Sequence, residues 1–217
     1  MGRNLPSLKV VLAAVILLVS ALSHVTLASN ITIDFYGISG ADGSPFTSYM
    51  EFGSTVTALT NNELVGQSSG NPGPYIYFVA QPNQTLTETI AVTEGGTKFS
   101  FSSIDLYSSI TTIPYIFTGI LNNSQVFVAS GIVPHTFGNF ATVMNPYSTV
   151  QIDTLDVTLT DATPPCCSNP MGLDNIVLTP AAGTPEPASL LLAISGIATL
   201  GLSRRRLIDS GREGVRK

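Results

Sequence analysis

A chain of 217 residues has room for one ordinary domain with short extensions. Only 11% of its residues are charged and 44% are hydrophobic, the opposite of the balance that keeps a chain disordered. Between Ser29 and Thr184 one base, Lys98, stands against eleven carboxylates, a net −10, so this region cannot neutralise phosphates and nucleic acid is excluded as a partner.

The other bases lie at the two ends. Arg3 and Lys9 precede an apolar run from Val10 to Leu22, and the small-residue exit Thr26-Leu27-Ala28 follows. This is the pattern of a secretory signal helix, residues 1–28, with cleavage after Ala28 and the secretion machinery as the implied partner. The run is shorter than the roughly 20 residues that cross a bilayer as a helix, which argues against a permanent anchor. No cysteine lies near the cleavage point and no twin-arginine pair precedes the run.

Residues 29–179 read as all-β. Turn residues recur throughout, and the runs between them are rich in Val, Ile, Thr, Phe and Tyr. Strands are expected at Ile31–Tyr36, Tyr75–Ala80, Thr87–Val92, Lys98–Phe101, Ile104–Tyr107, Tyr115–Leu121, Gln125–Ala129, Val150–Ile152, Leu155–Thr160 and Leu173–Leu178. Leu155 to Leu159 alternates apolar and polar as a half-buried strand does. Asn122-Asn123, between two such runs, signals a hairpin. The expected architecture is an antiparallel β-sandwich of the jelly-roll kind, followed by a short linker at 180–184.

The inventory for catalysis is thin. His135 is the one histidine after the signal, no Gly-x-Ser-x-Gly elbow is present, and one histidine with two cysteines does not make a zinc site. Paired carboxylates would suit a glycoside hydrolase, but no spacing singles out a pair. Cys166 and Cys167 are adjacent, so they either close a strained vicinal disulfide, bridge between chains or remain free, with the vicinal ring slightly favoured. There is no Trp, the best sugar platform. Tyr75 and Tyr77 share one strand face and offer a small glycan platform, although packing with the hydroxyl at the rim is the commoner fate.

The C-terminus has three parts in order: Pro185-Glu186-Pro187, an apolar segment from Ala188 to Leu202, and Arg204-Arg205-Arg206. An apolar helix followed by an arginine cluster is a stop-transfer element whose basic end stays cytoplasmic. The prolines ahead of it hold an extended peptide that a peptidase can grip. Together the three parts resemble the PEP-CTERM sorting signal, here residues 185–206, of exported Gram-negative proteins. Residues 207–217 form a polar cytoplasmic tail beyond the point where many members end. The resemblance implies an exosortase-type membrane peptidase as partner, transient retention in the inner membrane by a short helix, and release to the cell surface or extracellular matrix.

A second, more diffuse resemblance involves the strand ends. Ile31 to Phe35 and Gly172 to Ile176 resemble the paired first and last strands of exported carbohydrate-binding-type jelly rolls. That likeness implies a structural calcium ion near Asp34 and Asp174, in a chain otherwise expected to need no cofactor. Read from the residues alone, Asp174 and Asn175 instead cap the strand by bonding backbone groups. The expectation is a non-enzymatic surface or matrix protein whose sandwich binds extracellular polysaccharide. The alternative is a secreted hydrolase of matrix polysaccharide.

Overall fold

The computed structural model describes residues 29–60, 62–67, 73–134, 136, 137, 139–162 and 166–181. Ala28, His135 and the sorting-motif residues Pro185, Glu186, Pro187 and Arg204 to Arg206 lie outside the described residues.

Among the described residues twelve strands, all paired antiparallel, form one compact unit, Ala28–Ala181. In chain order they are β1 (Ile31–Ile33), β2 (Ser48–Glu51), β3 (Ser54–Ala58), β4 (Leu64–Gly66), β5 (Tyr75–Ala80), β6 (Thr85–Thr93), β7 (Phe99–Ser108), β8 (Ile113–Leu121), β9 (Ser124–Val133), β10 (Ala141–Met144), β11 (Thr154–Ala162) and β12 (Asn169–Pro180). Sheet A runs β10-β7-β12-β5-β4, with β1 added beside the second half of β12, and sheet B runs β2-β3-β6-β11-β8-β9. Among the described residues no helix is long and apolar enough to cross a membrane.

The connectivity identifies the architecture. From β5 onward the first strand pairs with the last (β5 with β12), the second with the next to last (β6 with β11), the third with β10, and the middle two, β8 and β9, with each other. A long antiparallel ribbon wrapped on itself gives this order, and the result is a jelly roll. Strands β1 to β4 only widen the two sheets. The expected sandwich is therefore present, and Ile31 and Ile33 do pair with Leu178 and Ile176.

Alternation decides which side chains enter the core. Leu155, Val157 and Leu159 of β11 are fully buried, as are Ile90 and Val92 of β6, and they face Ile76, Phe78, Leu106 and Leu173 from sheet A. Phe101 and Phe117 meet edge to face across the sandwich with ring centroids 5.1 Å apart. Four aromatic rings lie over a glycine directly across the ladder: Tyr75 over Gly66, Phe127 over Gly119, Tyr115 over Gly131 and Tyr107 over Gly172. A Cβ on Gly172 would fall 2.2 Å from the Tyr107 ring. The ring occupies the space a side chain would need and covers the bare backbone.

Several expected elements differ from the observed ones. The first strand stops at Ile33 because Phe35 takes a left-handed conformation, φ 56°. The two strands expected over Lys98–Phe101 and Ile104–Tyr107 are one, β7. Val150–Ile152 is not a strand; Ile152 makes a single bridge to Phe99. Strands β2, β3, β4 and β10 were not expected. The hairpin at Asn122-Asn123 forms with φ of 51° and 61°, the two left-handed residues that match strand twist in a tight turn.

Candidate functional site

Three surfaces merit comparison, and the first is an acidic corner where β1 meets β12. Beyond Ile33 the chain turns sharply, and Asp34 Oδ1 accepts the Tyr36 N–H at 2.9 Å. Glu51, at the end of β2, accepts the N–H groups of Asp34 and Phe35 on one oxygen at 3.1 and 3.3 Å. Beside this turn β12 carries a bulge at Asp174, with Asn175 at φ 47°, a conformation asparagine tolerates better than most residues. Asp174 Oδ1 accepts the Asn175 N–H at 2.7 Å, and the Asn175 amide donates to Asp105 at 2.9 Å. Asp174 lies directly opposite Asp105 in the ladder and is only 2% exposed.

Burial pushes the Asp174 carboxyl up to about 7, the charges of Asp105, Asp34 and Glu51 add to the effect, and the Asn175 N–H opposes it. Burial and the neighbouring Asp34 likewise raise Glu51. Asp34 and Asp174 therefore do share one electrostatic cluster. Calcium takes about six to eight oxygen ligands. Here several of the oxygens are engaged by backbone N–H groups, by Asn175 and, on Asp105, by Thr142 at 2.6 Å. Among the described residues no three Asp, Glu, His or Cys side chains are placed to hold a metal ion. Asp174 and Asn175 do bond backbone and side-chain groups locally, but at a mid-strand bulge and not at a strand end, because β12 runs on to Pro180.

The same geometry weakens the hydrolase alternative. Asp105 and Asp174 are the carboxylates that the register brings face to face, yet Asp174 is sealed from solvent. A glycosidase acid must reach the glycosidic oxygen.

The second surface is aromatic. Tyr75 and Tyr77 lie on the outer face of sheet A, as alternation requires, with ring centroids 5.8 Å apart. Tyr75, however, is 1% exposed. Tyr107 and Phe140 close over it edge to face, each 5.6 Å away, and Gly66 lies beneath. The expected platform is thus corrected to a packed cluster in which Tyr77 and Phe140 are partly open and Tyr75 and Tyr107 are buried. Burial raises the hydroxyls of Tyr75, Tyr77 and Tyr107, as expected of phenols packed into a wall.

The third surface, the outer face of sheet B, was not anticipated from the sequence. Residues alternating with the buried apolar set point outward, and register aligns them into rungs. Thr57 is followed by Ala91, Asp156, Thr118 and Val128; Thr55 by Thr93 and Thr154; Thr89 by Thr158 and Ile116. Threonine hydroxyls bond across strands, Thr87 to Thr160 at 3.0 Å and Thr89 to Thr158 at 2.9 Å. The strands of sheet B contain four acids, Glu51, Glu88, Asp156 and Asp161. Glu88 and Asp161 are buried on the inner face and Glu51 serves the turn at Asp34, which leaves Asp156 as the one charge facing out. Burial raises its carboxyl too. A body at −10 thus presents one broad, nearly neutral face of hydroxyl and methyl groups.

No family model and no curated protein matches this chain. Among solved structures it is similar to the family 29 carbohydrate-binding module of Piromyces equi, with 11% identity, 70% of this chain and 91% of that one covered, and a TM-score of 0.41. It is also similar to TmCBM61, solved with β-1,4-galactotriose, at 8% identity, 59% and 88% coverage and a TM-score of 0.39. A third is the family 11 module of Clostridium thermocellum, solved with a β-1,3-1,4-mixed-linked tetrasaccharide, at 14% identity, 73% and 100% coverage and a TM-score of 0.34. The likeness is one of sandwich architecture.

Cys166 and Cys167 lie in the β11–β12 connection, exposed and both free. Their Sγ atoms are 2.7 Å apart. What anchors the start of β12 is Asn169. Its amide donates to Asp161 at 2.7 Å and to Ser108 and Thr111 at 3.0 Å, and its carbonyl accepts the Ile110 N–H at 2.7 Å.

Proposed function

We propose that this is an exported, non-enzymatic surface or matrix protein, sorted by its C-terminal signal through an exosortase-type peptidase. In this reading its sandwich binds a neutral polysaccharide on the outer face of sheet B. The neutrality of that face on an otherwise acidic body carries the binding part of the proposal. A neutral sugar chain offers hydroxyls and C–H surfaces, which rungs of threonine can meet with hydrogen bonds and methyl contacts. An anionic polymer would be repelled by the surrounding carboxylates.

Retention of the exported protein on immobilised neutral and anionic polysaccharides tests the binding. Wild type is expected to bind a neutral polymer, and Thr158→Lys, at the centre of the face, to bind about tenfold more weakly with an unchanged melting temperature. Absence of retention on every polymer removes the glycan reading; retention indifferent to Thr158→Lys moves the site elsewhere. Sorting is tested separately by intact mass. The released form is expected to end upstream of Ala188, and a released form that keeps Ala188 to Lys217 rules processing out.

A further inference from the structure

Sheet edges expose unpaired backbone N–H and C=O groups, and proteins commonly protect them by keeping edge strands short or placing charge or proline on them. In this jelly roll β1 and β4 are three residues long, and β2 and β10 are four. The remaining edge is β9, ten residues long, which pairs with β8 on one side and, among the described residues, with no strand on the other. Ser124 to Val133 contains no Lys, Arg, Asp, Glu or Pro. The one irregularity of its ladder lies at Gly119, near the hairpin, so Phe127 to Val133 is regular. Its outward side chains are open and, apart from Ser130, apolar: Val126 is 42% exposed, Val128 41% and Ile132 67%, with Ile116 of β8 beside them at 42%. Beyond that irregularity, short length, charge and proline are all missing from this edge.

We infer that β9 is a self-association edge, and that its occupant is the β9 strand of a second copy, antiparallel across a twofold axis. The placement of open Val128 and Ile132 symmetrically about Ser130 points to this occupant. Two bodies at −10 repel each other over most approaches, and β9 is a long strand along which they can meet without opposing like charges. An antiparallel edge is also self-complementary, as a twofold interface must be. Centring the axis at Ser130 sets Val128 against the partner's Ile132 and Ile132 against the partner's Val128. The apolar stripe of each copy then continues across the junction, and two six-stranded sheets become one. The inference is separable from glycan binding although Val128 ends one of the rungs of that face, because it concerns the free backbone edge of β9 and is read as association and not as retention on a polymer.

The test is sedimentation of the full-length chain in a mild non-ionic detergent over a range of concentrations, alongside Val128→Lys and Thr57→Lys. Wild type and Thr57→Lys are expected to reach twice the monomer mass, and Val128→Lys to require about tenfold higher concentration to do so. Hydrogen exchange should show β9 amides slowed in concentrated wild type and not in Val128→Lys. A wild type that stays monomeric with fast-exchanging β9 amides overturns the inference. So does a dimer that ignores Val128→Lys, which would place association in the terminal segments. A monomer whose β9 is protected only when an added peptide is present also overturns it, in favour of another protein's strand.

Discussion

Asp174 shows how one buried side chain can set the pH behaviour of this fold. Its carboxyl is held near 7 in the folded chain, against an ordinary value of about 3.9 when unfolded. Between those values the folded state keeps a proton that the unfolded state has lost. The stabilising contribution is therefore complete below about pH 4 and is lost as pH rises through about 7. The protein is expected to melt at a higher temperature at pH 5 than at pH 8. Asp174→Asn, which still offers an oxygen to the Asn175 N–H, should flatten that dependence and gain up to about 4 kcal/mol at pH 8. Thermal melts of both proteins at the two pH values decide it; an unchanged slope in the variant would assign the effect to other groups. Gly172 makes a steric counterpart. Its added methyl would meet a Tyr107 ring that is itself buried and the Ile76 carbonyl at 3.1 Å. Gly172→Ala is expected to cost about 2 kcal/mol or more, read as a lower melting temperature.

Among the elements, β12 depends on its first residue more than on the cysteines before it. Removing the Asn169 amide leaves Asp161 and Ser108 short of partners inside the sandwich. Asn169→Ala is therefore expected to lose about 2–3 kcal/mol in chemical denaturation. Replacing exposed Cys166 and Cys167 with serine should change stability by less than about 0.5 kcal/mol in chemical denaturation. The strands readable in advance were those with sustained alternation, such as Leu155 to Thr160, where period alone separates core from surface. Three- and four-residue strands such as Leu64–Gly66 are too short to show a period, and Phe52, left-handed at the β2–β3 turn, carries none of the usual turn chemistry. The threonine face was half visible. Alternating threonines stand out in Thr85–Thr93 and in Thr154–Thr160, but nothing in either run says that β6 and β11 lie side by side. Tyr75 and Tyr77 failed as a platform for a related reason: the residues that cover them, Tyr107 and Phe140, come from distant parts of the chain.

At the scale of the whole molecule, the strand order constrains when folding can finish. Strand β12 is the last of the described strands, yet it lies in the middle of sheet A, between β7 on one side and β5 and β1 on the other. Thr179 also clasps Asn30 at 2.6 Å, so the final strand secures the first. Until Asn169–Pro180 is available, the two halves of sheet A have nothing to join them, and the contacts that complete the fold span almost the full length of the body. Such non-local closure is slow and leaves strand edges bare while it waits. A chain that emerges N-terminus first therefore stays an open ribbon until Pro180 is free, and the last stretch of the body to appear is the one that joins the two halves of sheet A.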